Sequence, residues 1–371
     1  MSTLRTSLLA ALLAAGVSAR ADEIKEPRVI DLAICLDTSG SMNGLLDAAR
    51  TKIWSIVNDL ALAKPLPRLR VAFLTYGNNG HTAESGWVKV HSDLTEDLDL
   101  ISQEMFAQTT NGGDEYVGRV LQRAMEGLQW GDRKDALRLV IVAGNESAEQ
   151  DPTVNFRDIC RKLIGKGIMV NSIYCGPAAD NLAPAWKEVA TLADGHFASI
   201  DQDRGTVTVS TPFDAKLADL SASLNRTYVP FGAEGDAGWE RQTAQDEKAR
   251  EAAPAAAADR AACKVGRLYQ CNWCLVDVTR EGRVKLADVK KEDLPEALRG
   301  KSLEEIQAHL DAKYEERCRI QADIAGLQKE RALFIEAELA KTAKSDDKAF
   351  DRAVRDAIRA QATKKGYAFG E

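Results

Sequence analysis

The chain has 371 residues, 49 Lys and Arg against 56 Asp and Glu for a net charge of −7, and 45% of it is hydrophobic. That acidic balance argues against a nucleic-acid binder, which needs a basic face to displace phosphate counterions. The apolar share excludes disorder over the whole chain, and the length suits two domains or one large domain with an appendage.

At the N-terminus, one positive charge at Arg5, a mostly apolar run from Leu8 to Val17 and the ending Ala19-Arg20-Ala21 form the three parts of a secretory signal peptide. Cleavage is expected after Ala21, so residues 1–21 are read as a signal peptide and the mature protein as exported, either periplasmic or secreted. The run falls short of the roughly 20 apolar residues that a spanning helix needs. No later stretch is long and apolar enough either, so the mature chain is expected to have no membrane span.

From Arg28 to about Asn225, short β-branched apolar runs alternate with helical patterns. Val29–Leu36, Leu69–Tyr76, Trp87–His91, Leu137–Ala143, Ile168–Cys175 and His196–Ile200 read as strands. Leu45–Leu62, Tyr116–Trp130, Val154–Ile164, Ala183–Leu192 and Pro212–Leu224 carry apolar residues at three- and four-residue spacing, as amphipathic helices do. This alternation predicts an α/β fold: a doubly wound, mostly parallel six-stranded sheet with helices on both faces.

Beyond it, Pro230, Gly232, Gly235 and Gly238 mark 226–240 as a linker. An Ala-rich charged helix follows, broken or kinked by Pro254. Residues 227–300 as a whole read as linker and a mixed, Cys-bearing segment, with Trp273–Val278 strand-like. Residues 301–371 read as a charged helical tail. A long helix runs from Ser302 to about Ala340, with Glu304 and Glu305 in its first turn, and a short one starts near Asp346 and Asp347. Leu303, Ile306, Leu310, Ile320, Ile324, Leu327 and Phe334 fit a seam for self-association or a coiled-coil contact, which Lys313, Arg317 and Arg331 interrupt.

Of the seven cysteines, Cys35 and Cys175 fall in expected strands and Cys160 on a helix. Cys271-Asn-Trp-Cys274 has redox spacing without the βαβ setting of a thioredoxin, which favours a structural disulfide or spare thiols.

Ligands of open α/β sheets bind beyond the carboxyl ends of the strands. There the first strand runs into Asp37-Thr-Ser39-Gly-Ser41. Alternation points the Asp37 carboxylate and the Ser39 and Ser41 hydroxyls the same way, and hard oxygens in that arrangement suit an Mg²⁺-type cation. Capping of the next helix by Ser41 or Asn43 is compatible with that role.

An apolar strand ending Asp-x-Ser-x-Ser in a βα-alternating domain of this size resembles the von Willebrand factor type A domain with its metal-ion-dependent adhesion site. The order of elements strengthens the resemblance: Leu69–Tyr76 is similar to the family's second strand, Gly112-Gly113 to its second metal loop, Leu137–Ala143 to its fourth strand and Val170–Gly176 to its fifth. It covers about residues 28–226. Exported bacterial proteins that fuse this domain to a helical tail are also similar. The resemblance implies a site for Mg²⁺, or Mn²⁺ or Ca²⁺, built from Asp37, Ser39 and Ser41 and engaging a protein ligand. Two departures stand out. Where the family supplies a Thr, this chain has Asp114 and Glu115, and where a Thr-Asp-Gly run commonly supplies an Asp, it has Gly144-Asn145-Glu146. Asp114, Glu115 and Asn145 therefore complete the candidate ligand set.

No phosphate-binding loop, His-Glu-x-x-His pair or nucleophile elbow is present, and the four histidines are scattered. The function expected is a non-enzymatic, exported protein-binding module. Two alternatives stand beside it. One is a metal-free scaffold acting through its helical tail. The other is a hydrolase in which Asp37 with Asp114 or Glu115 holds a water-activating metal, against which stands the absence of a basic residue beside those loops.

Overall fold

The computed structural model describes residues 27–200, 209–341 and 347–369. The expected signal peptide over 1–21 lies outside the described residues. In chain order the first part comprises β1 (Val29–Asp37), α1 (Asn43–Leu60), β2 (Ala63–Lys64), β3 (Arg68–Tyr76), β4 (Val88–Thr95), α2 (Leu98–Phe106), α3 (Val117–Gly127), β5 (Leu137–Gly144), α4 (Phe156–Gly165), β6 (Ile168–Tyr174), α5 (Ala183–Leu192) and β7 (Phe197–Ser199). The second comprises α6 (Asp214–Asn225), α7 (Gly235–Ala252), α8 (Pro254–Val265), α9 (Leu275–Arg280), α10 (Leu303–Lys341), α11 (Asp347–Lys364) and β8 (Ala368–Phe369).

Six strands form one sheet in the order β4-β3-β1-β5-β6-β7. All neighbours are parallel except β4, which runs antiparallel to β3 with two register shifts. The expected six-stranded, doubly wound sheet is therefore present. Because β1 is central, all nine of its residues are buried, which is why it reads as a continuous apolar run. Ile30, Leu32, Ile34 and Leu36 face a core shared with Trp54 of α1, Ile101 of α2 and Ile358 of α11. Ala33 and Cys35 face the opposite core, built with Val120 of α3, Leu163 of α4 and Trp186 of α5.

Helix α2 is absent from the periodicity reading: it is nine residues long and opens at Asp97, whose side chain accepts the Leu100 N–H. The expected 226–240 linker is helical from Gly235 onward. The strand-like Trp273–Val278 run instead forms α9, preceded by an isolated bridge between Pro230 and Cys274. Its apolar residues Leu275, Val276 and Val278 are buried in a third core with Leu217 of α6, Ala258 of α8 and Ile306, Leu310 and Ile324 of α10.

The long helix is present, and the arginines that interrupt its seam are what dock it. Arg317 donates to the Thr227 hydroxyl at 3.0 Å and the Thr227 carbonyl at 2.8 Å, pairs with Asp277, and lies over the Tyr228 ring. Arg331 pairs with Asp214 at 2.8 Å and Asp259 at 2.7 Å. The seam thus packs against the chain's own α6, α8 and α9. Beyond it, α11 returns to the sheet: β8 pairs with β2, Tyr367 enters the first core, and Gln361 exchanges two 3.0 Å hydrogen bonds with Asn171 of β6.

Candidate metal centre

Strand β1 delivers Asp37 to the carboxyl edge of the sheet, where four loops meet. Asp37 Oδ1 accepts the Ser39 N–H at 2.8 Å, and the chain turns through a Met42 N–H to Ser39 carbonyl bond of 3.1 Å into α1. The N-cap residue of α1 is Met42, with no side-chain cap. The Ser41 hydroxyl and the Asn43 amide are therefore not engaged in capping.

Ser39 Oγ stands 3.4 Å from Ser41 Oγ, and Asn145, just past β5, exchanges bonds of 3.3 and 3.0 Å with Ser41. Ser39 is buried, Ser41 exposed and Asn145 half-buried. The structure thus brings Asp37, Ser39, Ser41 and Asn145 together as a graded path from interior to solvent.

The two acids of the 112–116 loop part company. Asp114 is exposed, and its Oδ2 accepts from the Trp87 indole and the Tyr116 hydroxyl, both at 3.1 Å. Glu115 turns the other way. A Cβ at Gly77, whose φ is +74°, would lie 2.9 Å from Asp37 Oδ1 and 3.0 Å from Glu115 Cγ. The bare glycine is what lets both acids approach the same backbone. Gly144 serves the other side, since a Cβ there would sit 3.0 Å from Asp37 Oδ2 and 2.4 Å from the Tyr76 hydroxyl.

The carboxylate at the centre is under strong electrostatic stress. Burial pushes the Asp37 carboxyl up to about 7; the Ser39 hydrogen bonds oppose the rise, and the negative charges of Glu115 and Glu146 add to it. Burial first, then Glu146 and Asp114, likewise raise Glu115 above the ordinary carboxylate range against its own hydrogen bonds. Asp37 Oδ2 is buried with no hydrogen-bond partner. Among the described residues no group of three or more His, Cys, Asp or Glu side chains is placed to hold a metal. The donors here are instead two carboxylates, two hydroxyls and an amide, a set that fits a hard divalent cation.

Sequence reasoning did not single out Glu146, Gly77 or Asn78. The Asn78 amide donates to the Thr38 and Thr109 carbonyls at 3.1 and 2.8 Å, tying the first and second loops together. The signal available was the Tyr76-Gly-Asn-Asn-Gly80 turn at the end of a strand that neighbours β1.

Residues 31–208 match the profile of the von Willebrand factor type A domain, and this part of the chain is such a domain. Domains of this family are commonly protein-interaction modules. Among solved structures the chain is similar to the SpRpn10 VWA domain, with 18% identity over 46% of this chain and 88% of that one and a TM-score of 0.37. It is similar to proximal thread matrix protein 1 from the mussel byssus with a zinc-occupied MIDAS motif, at 16% identity, 48% and 43% coverage and a TM-score of 0.38. A von Willebrand factor type A protein from Catenulispora acidiphila matches at 16% identity, 48% and 40% coverage and a TM-score of 0.38. This chain thus spans under half the length of the latter two. No curated protein matches it in sequence.

Proposed function

We propose that this chain is an exported, non-enzymatic protein-binding module whose strand-end face holds Mg²⁺, or Mn²⁺ or Ca²⁺ in its place. Asp37, Ser39 and Ser41 form the core of the site, Glu115 adds a second carboxylate, and Asn145 steadies Ser41. The observation that carries the reading is Asp37 Oδ2, a buried carboxylate oxygen without a hydrogen bond. A buried unpaired carboxylate costs several kcal/mol, and a cation bound there supplies the missing partner. Asp37 is buried and Ser41 exposed, so a cation held between them would face solvent on the Ser41 side, where a partner would reach it.

Glu115 shapes what kind of partner fits. Two carboxylates already offset the charge of a divalent ion, so a neutral oxygen donor from the partner suits the site better than an acidic side chain. Export rests on the Met1–Ala21 pattern. Among the described residues no helix is long and apolar enough to cross a membrane.

The test is calorimetric titration of Mg²⁺ and Mn²⁺ into chelator-treated protein beside an Asp37→Ala variant. Saturable binding in the wild type, lost in the variant, is expected. Absence of binding in the wild type would leave a metal-free scaffold and sink the cation mechanism.

A further inference from the structure

The strand-end site takes up Asp37 and Glu115 but leaves over Asp114, the exposed acid beside them. A single oxygen of Asp114, Oδ2, accepts both the Trp87 indole and the Tyr116 hydroxyl, each at 3.1 Å. Its other oxygen is left to a donor from outside. Among the described residues no cationic side chain pairs with Asp114. Arg119 of α3, whose guanidinium lies 5.1 Å from the Tyr116 ring centroid, is already committed to Asp151 through bonds of 2.8 and 3.0 Å.

The backbone under this arrangement is strained. Trp87 has a φ of +59°, a conformation that bulky side chains avoid. Gly86 before it has a φ of +66°, and a Cβ there would fall 1.7 Å from Arg119 Cδ, so the turn is seated directly on that arginine. The Trp87 N–H donates to the Thr82 carbonyl at 3.1 Å, and the Trp87 carbonyl accepts the Gly77 N–H at 3.1 Å. Gly77 is the bare glycine that lies against both Asp37 and Glu115. One residue in a left-handed conformation thus reaches the strand-end site through its backbone and Asp114 through its indole. Such strain persists only where the surroundings over-determine it, and it concentrates where ligands are held.

We infer that Asp114, Trp87 and Tyr116 form a recognition patch, beside the strand-end site, for an arginine side chain of a protein partner. A carboxylate steadied by two donors offers a guanidinium a charge-assisted hydrogen bond. The half-buried indole and phenol rings on either side of it attract a cation through their faces. Arginine uses both features at once, because its planar fork pairs with a carboxylate and lies on a ring, whereas lysine brings a point charge. When a divalent ion offsets Asp37 and Glu115, Asp114 and exposed Glu146 remain as negative charge on this face. The patch extends the proposed binding face yet needs no ion, since Asp114 is held by protein groups alone.

The experiment follows the Trp87 indole N–H resonance of the chelator-treated full-length protein, identified by its absence from Trp87→Phe. The probe titrated in is acetyl-Gly-Arg-Gly-amide, beside control peptides with Gln or Lys in place of Arg. In the wild type the arginine peptide should displace the resonance saturably, the lysine peptide more weakly and the glutamine peptide not at all. Asp114→Asn keeps an oxygen for the indole and the phenol but loses the charge. It should bind the arginine peptide about tenfold more weakly, with the other indole resonances unmoved to show that the fold is intact. Asp37→Ala should respond as wild type, so failure of the cation site and failure of the patch are read separately. No displacement of Trp87 in the wild type, equal responses to the arginine peptide and either control, or equal affinity in Asp114→Asn would each overturn the assignment.

Discussion

The sheet and the helical region behind it bury opposite chemistries. In the sheet, β1 presents apolar side chains to both faces, and the one mid-sheet acid near its start, Asp31, is neutralised by two 2.8 Å bonds from Arg70. In the helical region, α8 buries Arg260 and Lys264, which are 1% and 2% exposed. Arg260 meets Asp99 at 2.5 Å and Asp246 at 2.9 Å, and Lys264 meets Asp246 at 2.6 Å. The Arg260 guanidinium also lies 4.4 Å from the centroid of the Trp54 ring. Two cations and two anions are thus enclosed together. Because Asp99 belongs to α2 and Trp54 to α1, this network joins the helical region to the A-type domain. Apolar burial loses stability in small increments when trimmed, whereas a buried charge network fails steeply when one member is removed.

The largest effect is therefore expected from Arg260→Met. It leaves Asp99 without its buried counter-charge and Asp246 with Lys264 alone, and should cost about 3–5 kcal/mol in urea unfolding. Ile34→Val in the sheet removes one methylene and should cost only about 0.5–1.5 kcal/mol. Equal costs for the two would break the contrast.

The two regions should also answer pH in opposite directions. Asp246 is desolvated, yet Lys264 and Arg260 hold its carboxyl below the ordinary value of 3.8. Its contribution is present above that value and is lost as pH falls through the folded pKa. Asp37, raised to about 7 by burial, contributes in the reverse sense. In metal-free protein its favourable protonated state is fully present below about 3.8 and is lost as pH rises through about 7. Chelated wild type should lose stability over that window relative to Asp37→Asn, with a slope approaching about 1.4 kcal/mol per pH unit. Mg²⁺ should flatten the curve. Parallel curves for wild type and Asp37→Asn in chelator would show that Asp37 carries no such stress.

The contrast also explains what was legible in the sequence. Strands such as Val29–Asp37 and Leu137–Gly144 are buried on both faces, so composition alone announces them. Asp37, Ser39 and Ser41 could be read because their alternation is local, and Asn145 because it directly follows a strand. The diversion of Asp114 to Trp87 could not be read, since it depends on a residue 27 positions away. Gly77 and Glu146 reach Asp37 only once β3 and β5 flank β1. Arg317 and Arg331 look like interruptions in a seam because their partners, Asp277 and Asp214, sit 40 and 117 residues upstream. Periodicity registers which positions are apolar, and a helix docked through arginine is invisible to it.

The smallest perturbation, thiol labelling, asks whether the two regions unfold as one. None of the seven cysteines is in a disulfide and only Cys318 is exposed, so the Cys271–Cys274 disulfide that the spacing allowed is not formed. Burial pushes Cys160 and Cys263 up to about 12 and raises Cys35, Cys175, Cys271 and Cys274 as well. Since the thiolate is the reactive form, a thiol reagent should label one cysteine in native protein and all seven in denaturant. At intermediate denaturant the order of labelling is informative. Cys35, Cys160 and Cys175 report on the sheet, and Cys271 and Cys274 on the helical core, while Cys263 of α8 sits in the core beneath the sheet. With the Arg260 network intact, these six should appear in a single transition. In Arg260→Met, Cys271 and Cys274 should react at lower denaturant than Cys35. Early, separate exposure of Cys271 and Cys274 in the wild type itself would mean that the network does not couple the two regions.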